Sequence, residues 1–318
     1  MPEGLPPSAS RLPFKLPIKK LLLVLGVVAT LYAALLLFSG NSPKAALSIL
    51  WSWTGLQAAA LCVLNYVLRG MRWRLWMAQF DRHFGALEGL RLYLAGYAFT
   101  PTPGNIGEAI RGLMLARNPL GTAQSLAIFG AERLADLLCL LLLCLPAISW
   151  ILLHASLQIP APFVIGLTAG AALLLVLALA LLFANRARLL ARFTWLQGPW
   201  KCLATRPVSW FVLTLLAWAA QGLAVWLICR ALSIDVPMLV AIGFYAVAMV
   251  AGALSALPAG LGGTEVVLTG LLVAHSAAPA AALTLTVLAR LLTLWLAVAI
   301  GVVALLYSAA IRKDISFS

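Results

Sequence analysis

Apolar runs of about 20 residues, separated by short arginine-rich stretches, limit what this chain can fold into more than any other feature. Six runs, about 21–39, 50–68, 122–149, 162–184, 208–229 and 279–308, are long enough to cross a bilayer as helices. Backbone buried in hydrocarbon must pair its own N–H and C=O groups, which leaves helices as the available element. Composition agrees: 64% of the 318 residues are hydrophobic and 10% are charged, against about 25% charged in a soluble domain. The expected fold is all-α and polytopic. It comprises one transmembrane domain over 21–310, an N-terminal tail over 1–20 and a C-terminal tail over 311–318. The first run follows Arg11, Lys15, Lys19 and Lys20 and is too long for a signal-peptide core, so it reads as a retained span.

Two further regions, about 84–118 and 237–275, are apolar but interrupted. Each has an apolar half, a Pro/Gly-rich break and a second apolar half. Non-helical backbone at membrane depth is tolerated only where it is buried in protein or lines a watery cavity. Each region is therefore expected to be a re-entrant hairpin or a broken helix, and loop charge does not separate the two. With the N-terminus inside, Arg69, Arg72, Arg74 and Arg82 of the 69–83 loop fall on the same side as Arg186, Arg188, Arg192, Lys201 and Arg206 of the 185–207 loop. Arg312 and Lys313 join them, while the 40–49 loop carries only Lys44 and the 150–161 loop no Lys or Arg. This asymmetry predicts a multi-pass membrane protein with both termini cytoplasmic.

The breaks resemble each other. The first reads Pro101-Thr-Pro-Gly-Asn-Ile-Gly-Glu108 and the second Pro258-Ala-Gly-Leu-Gly-Gly-Thr-Glu265. One shift of 157 residues relates Pro101 to Pro258, Glu108 to Glu265 and Arg133 to Arg290. The following spans run in opposite directions by the loop count, so the repeat cores, about 84–149 and 237–308, are expected to be inverted. Inverted repeats with broken helices are a transporter architecture that holds substrate at the repeat interface. An old duplication retained for packing is the plainer alternative.

Charge inside an apolar helix is costly, at least about 2.5–3.5 kcal/mol per residue at the bilayer centre. Glu108, Glu132, Asp136 and Glu265, with Arg111, Arg133 and Arg290, therefore need partners, water or a function. Glu108 and Glu265 fall in the first turn of a new half-helix, where exposed N–H groups bind anions. They either cap that turn and pair with arginine, or serve a substrate. Arg111 shares a face with Glu108 at i+3, Glu132 and Asp136 share a face at i+4, and Arg133 leaves the helix in another direction. Repeat symmetry predicts the ion pairs Glu108–Arg133 and Glu265–Arg290. Pro103, Gly104 and Gly107 in the first break, and Pro258, Gly260, Gly262 and Gly263 in the second, complete the candidate substrate site by leaving backbone N–H groups open. The basic, aromatic stretch Asn65-Tyr-Val-Leu-Arg-Gly-Met-Arg-Trp-Arg-Leu-Trp76 reads as an interfacial belt with snorkelling arginines.

Other classes are disfavoured. A net charge of +13 would suggest nucleic acid in a soluble chain, but here the basic residues sit in loops and are read as topology signals. The five cysteines and three histidines show no metal-ligand or disulfide spacing, and no nucleotide or catalytic fingerprint is present, so neither a cofactor nor an enzymatic activity is expected.

Thr100-Pro-Thr-Pro-Gly-Asn-Ile-Gly-Glu-Ala-Ile-Arg111, Glu132-Arg-Leu-Ala-Asp136, Leu257-Pro-Ala-Gly-Leu-Gly-Gly-Thr-Glu265 and Arg290 together resemble the flippase-like family named after the lysylphosphatidylglycerol synthase transmembrane region. The resemblance covers roughly 15–310. It implies movement of a lipid between leaflets: a phospholipid, an aminoacyl-lipid, a hopanoid or a polyprenyl-linked lipid. Synthesis of the lysyl-lipid is not carried over, because the soluble synthase domain found in some relatives is missing from this sequence. Thr100 stands where the family pattern has asparagine. A small-molecule or ion transporter and an accessory subunit of a lipid-modifying enzyme are the alternatives, and homo-oligomerisation is left open.

Overall fold

In the computed structural model the described residues are 43–101, 106–109, 120–154, 184–255 and 257–315, with residues 26, 30, 34, 111, 166, 169, 170, 173 and 177 described singly. Apart from single positions, the expected spans over 21–39 and 162–184, the tail over 1–20 and the end of the C-terminal tail lie outside them. Among the described residues the chain is helical and has no strand. The helices are α1 (Pro43–Trp51), α2 (Trp53–Met77), α3 (Ala86–Ala95), α4 (Ile106–Ala109), α5 (Thr122–Leu143), α6 (Leu145–His154) and α7 (Arg186–Arg192). They continue as α8 (Gln197–Ala204), α9 (Pro207–Ala231), α10 (Met238–Leu254), α11 (Gly263–Ala274), α12 (Pro279–Arg290) and α13 (Leu296–Ile315).

Three helical stretches are long and apolar enough to cross a membrane: Thr122–His154, Pro207–Ala231 and Pro279–Ser308. The first is α5 run into α6, with a turn at Cys144 just before Pro146, whose ring cannot continue the hydrogen-bond ladder undisturbed. The third is α12 run into α13 through a π-turn at Leu291–Trp295. The expected span over 50–68 is part of a longer helix. Ser52 caps it, its Oγ accepting from Gly55 N at 3.1 Å, and α2 continues for 25 residues to Met77. Arg69, Arg72 and Arg74 thus belong to the helix and not to a 69–83 loop. The 185–207 loop is likewise partly helical: α8 buries Pro199 and Cys202, and Gly198 lets it approach Ala127 of α5.

Both interruptions are present. After α3 the chain tightens into a 3₁₀ turn, Gly96–Phe99, and turns at Thr100 and Pro101 before α4. After α10 it passes Pro258–Gly260 and restarts as α11 at Gly263. The second break uses left-handed backbone at Ala259, Gly260 and Gly262, with φ of 54°, 67° and 84°. Glycine supplies two of these at no steric cost, whereas Ala259 carries the strain of a side chain there.

α2 and α9 form the central pair. They pack along each other, and Asn65 Nδ2 donates to Ala217 O at 2.8 Å across the seam. α3 and α10 flank them, α13 covers α3, and α6 covers α10. Small residues make these contacts, as expected where lipid gives helices no hydrophobic reason to associate. A Cβ on Gly243 would lie 2.7 Å from Ala147 N, and one on Gly301 would lie 2.4 Å from Ala98 N and 2.9 Å from Leu94 O. The obstacles are backbone and cannot swing aside. Gly301→Leu should therefore cost on the order of 1–3 kcal/mol, read as a lower unfolding temperature in detergent. Gly270→Leu, where a Cβ meets nothing within 4 Å, should leave that temperature nearly unchanged.

Candidate functional site

The helical turn after the first break delivers Glu108 and Arg111 to the wall formed by α2 and α5, and seven charged side chains meet there. Asp136 accepts from Arg69 Nη2 at 2.9 Å and from Arg72 Nη1 at 2.6 Å. Trp218 Nε1 of α9 also donates to Asp136, at 3.1 Å, and Arg72 Nη1 donates to Thr214 Oγ1 at 2.9 Å. Glu132, one turn earlier on the same face of α5, lies 3.3 Å from Arg111 Nη1 and 3.9 Å from Arg72 Nη2. Glu108 accepts from Arg111 Nη2 at 2.6 Å, from Arg133 Nη2 at 3.2 Å and from Thr100 Oγ1 at 3.1 Å. Arg133 also comes within 3.5 Å of Asp136.

Aromatic rings complete the lining. The Arg111 guanidinium lies 4.3 Å from the centroid of Tyr93, and Arg69 lies 5.2 Å from that of Trp218. Such contacts gain strength when desolvated. Gly96 makes room for Arg111, because a Cβ there would lie 2.2 Å from Arg111 Nε. Ser125 Oγ donates to Ala109 O and ties α4 to α5.

Four arginines face three carboxylates, which leaves one positive charge unmatched. Six of the seven are buried, and Arg133 is the exception, with its side chain 34% exposed. The Nε groups of Arg69, Arg72, Arg111 and Arg133 are buried without a hydrogen-bond partner. The site is closed in this conformation: the space beside Glu108, Arg111 and Glu132 is about 10 Å³, room for one water molecule at most. A ligand anion would have to take the place of a carboxylate on an arginine fork, an exchange that guanidinium geometry favours for phosphate.

The second break makes a smaller site. Arg290 Nε donates to Glu265 Oε1 at 2.7 Å, and its Nη2 donates to Ala259 O at 2.8 Å, holding the left-handed turn in place. Both expected pairs therefore form, each between a residue in the first turn after a break and an arginine 25 positions on. Among the described residues no ion pair joins the two sites, so in this conformation they do not face a single open cavity. Pro258, Gly260, Gly262 and Gly263 shape the second turn, Gly107 lies in α4, and Pro103 and Gly104 lie outside the described residues.

Two readings of the sequence need correction. Arg69 and Arg72, taken as a snorkelling belt, are 7% and 0% exposed and clamp Asp136. Their signal was the helical stripe Asn65, Tyr66, Arg69, Arg72, Trp73 and Trp76, legible once the span is not ended at residue 68. Arg133, expected to point away from the acidic face of its own helix, reaches Asp136 on that face as well as its expected partner Glu108. Thr100, singled out only by its departure from the family pattern, bonds Glu108, while Thr214 and Trp218 escaped notice because a single polar or aromatic residue in an apolar helix carries no pattern.

Removing one member of a buried pair leaves its partner charged and dry, at about 3–5 kcal/mol. Asp136→Asn should therefore lower the thermal midpoint strongly, since it strands two buried arginines. Glu265→Gln should lower it less, because Arg290 keeps its bond to the Ala259 carbonyl. Midpoints of purified variants in one detergent check the order.

A sequence profile described as Lysylphosphatidylglycerol synthase TM region matches residues 21–301. A search of the curated proteins returned no match.

Proposed function

The chain belongs to the family of the lysylphosphatidylglycerol synthase transmembrane region, and on that premise we propose that it is a transporter, not an enzyme, that moves a lipid with an anionic or zwitterionic headgroup between leaflets of a bacterial inner membrane. The observation that carries this reading is the buried network with one surplus arginine charge and one partly exposed arginine, Arg133. Apolar packing would serve net stability as well or better, so stability alone does not account for a cluster of this size and charge. A cluster with a spare cation and unpaired guanidinium N–H groups is suited to a phosphate.

In this reading the two breaks belong to inverted repeats. The packing is consistent with that: α2 and α9, which pair at the centre, overlap under the 157-residue shift to within three residues at each end, and α3 is covered by the last helix of the second unit as α10 is by the last helix of the first. The closed conformation is then the occluded state. Opening toward one leaflet exchanges Glu108 for a headgroup phosphate on Arg133 and Arg111, while the acyl chains stay in the bilayer. Glu265–Arg290 does the same toward the other leaflet.

The test is leaflet exposure of fluorescent lipids in proteoliposomes. Arg133→Gln should slow translocation by about tenfold or more, the scale of one charge-assisted hydrogen bond. Its thermal midpoint should move little, since a third of the side chain is exposed. Glu108→Gln and Glu265→Gln should also slow exchange. Lipid exposure equal to that of empty liposomes, across phospholipids, aminoacyl-lipids, hopanoids and polyprenyl-linked lipids, sinks the proposal.

A further inference from the structure

A second basic site lies outside the network. A cavity of about 930 Å³ opens between the end of α2, the turn that follows it and the start of α9. Arg74, Arg82 and Arg206 line it, and no carboxylate is among its lining residues. Leu75, Val212 and Leu213 give it apolar walls. The arginines are held in place. Arg74 Nη2 donates to Phe84 O at 2.9 Å, and Arg82 Nη1 donates to Phe80 O at 2.9 Å. Gly89 leaves room for the Arg74 chain, since a Cβ there would lie 2.5 Å from Arg74 Cδ. Arg206 sits in left-handed backbone, φ 43°, a conformation that costs an arginine energy and aims it differently from the helix it precedes. The first turn of α9 has no side-chain cap, so the partial positive end of a 25-residue helix adds to the same potential.

Three cations, a described lining without a carboxylate and an apolar wall, at the end of the bundle where the basic loops lie, fit one chemistry: an anionic headgroup with its acyl chain alongside. We propose that this cavity binds an anionic membrane lipid from the leaflet on that side, as a site separate from the buried network. It lies beside that network, since Met71 and Leu213 directly precede Arg72 and Thr214, but none of its lining residues belongs to the network.

The test uses full-length protein in nanodiscs of phosphatidylcholine with trace phosphatidylglycerol carrying a photoreactive group beside the phosphate. Labelling should map to peptides covering 71–84 and 205–213. Unlabelled phosphatidylglycerol should compete, and phosphatidylcholine or soluble glycerol phosphate should not. Arg82→Gln and Arg206→Gln should each reduce labelling about fivefold, the effect of one basic residue at an anionic surface. Ser209→Trp, which fills the cavity and keeps every charge, should abolish it. Labelling of other segments, equal labelling by a phosphatidylcholine probe, competition by glycerol phosphate, or labelling unchanged in all three variants overturns the proposal. If a variant fails to fold, the map on the unaltered protein decides. None of these readouts measures transport, so this site stands or falls apart from the transport reading.

Discussion

Asp136 held between Arg69 and Arg72 is the interaction on which the rest of the structure depends. Two guanidiniums in a low-dielectric interior cannot stay charged without a counter-ion, and they cannot lose their protons. Their helix, α2, must therefore lie against α5 at one height and one rotation, and the Trp218 and Thr214 bonds fix α9 to the same point. A purely apolar seam would tolerate sliding. A charged one does not, and it gives three long helices a common register from which both breaks are then suspended.

The breaks follow from that frame. A helix that stops inside a membrane leaves carbonyls and N–H groups without partners, and here side chains of neighbouring helices take them up: Arg290 at the Ala259 carbonyl, Ser125 at the Ala109 carbonyl. Glycine at the seams lets backbone approach backbone, as at Gly243 against Ala147 and Gly301 against Ala98. The charged residues thus do two jobs. They satisfy the broken backbone, and they place a cation at the one edge of the network that is partly open, Arg133.

Much of this was legible in the sequence. Apolar runs of spanning length, two Pro/Gly interruptions and a common offset gave the helical architecture and the pairs Glu108–Arg133 and Glu265–Arg290. What stayed hidden has one physical cause. Arginine near the end of an apolar run looks the same whether it snorkels to the interface or turns inward to a carboxylate, and only the partner decides. Arg69 and Arg72 have Asp136 within reach, whereas Arg74, two residues beyond Arg72, faces a cavity with no carboxylate among its lining residues. Arg133 misled for a related reason: helical spacing sets the direction of the Cα–Cβ bond, but a side chain of that length can reverse it. The 185–207 stretch read as a loop because its charges masked two buried positions, Pro199 and Cys202, that dock α8 on α5.

The π-turn Leu291–Trp295 lies immediately after Arg290. Tyr66 Oη of α2 reaches two of its carbonyls, 2.9 Å from Leu292 O and 3.1 Å from Thr293 O. The same helix holds Arg69 and Arg72 one and two turns further on. One rigid rod thus touches both halves of the molecule, so a displacement at either half does work on the other. Thermodynamics makes that coupling mutual: whatever free energy the state of one ion cluster adds to the other, the second returns in equal measure to the first.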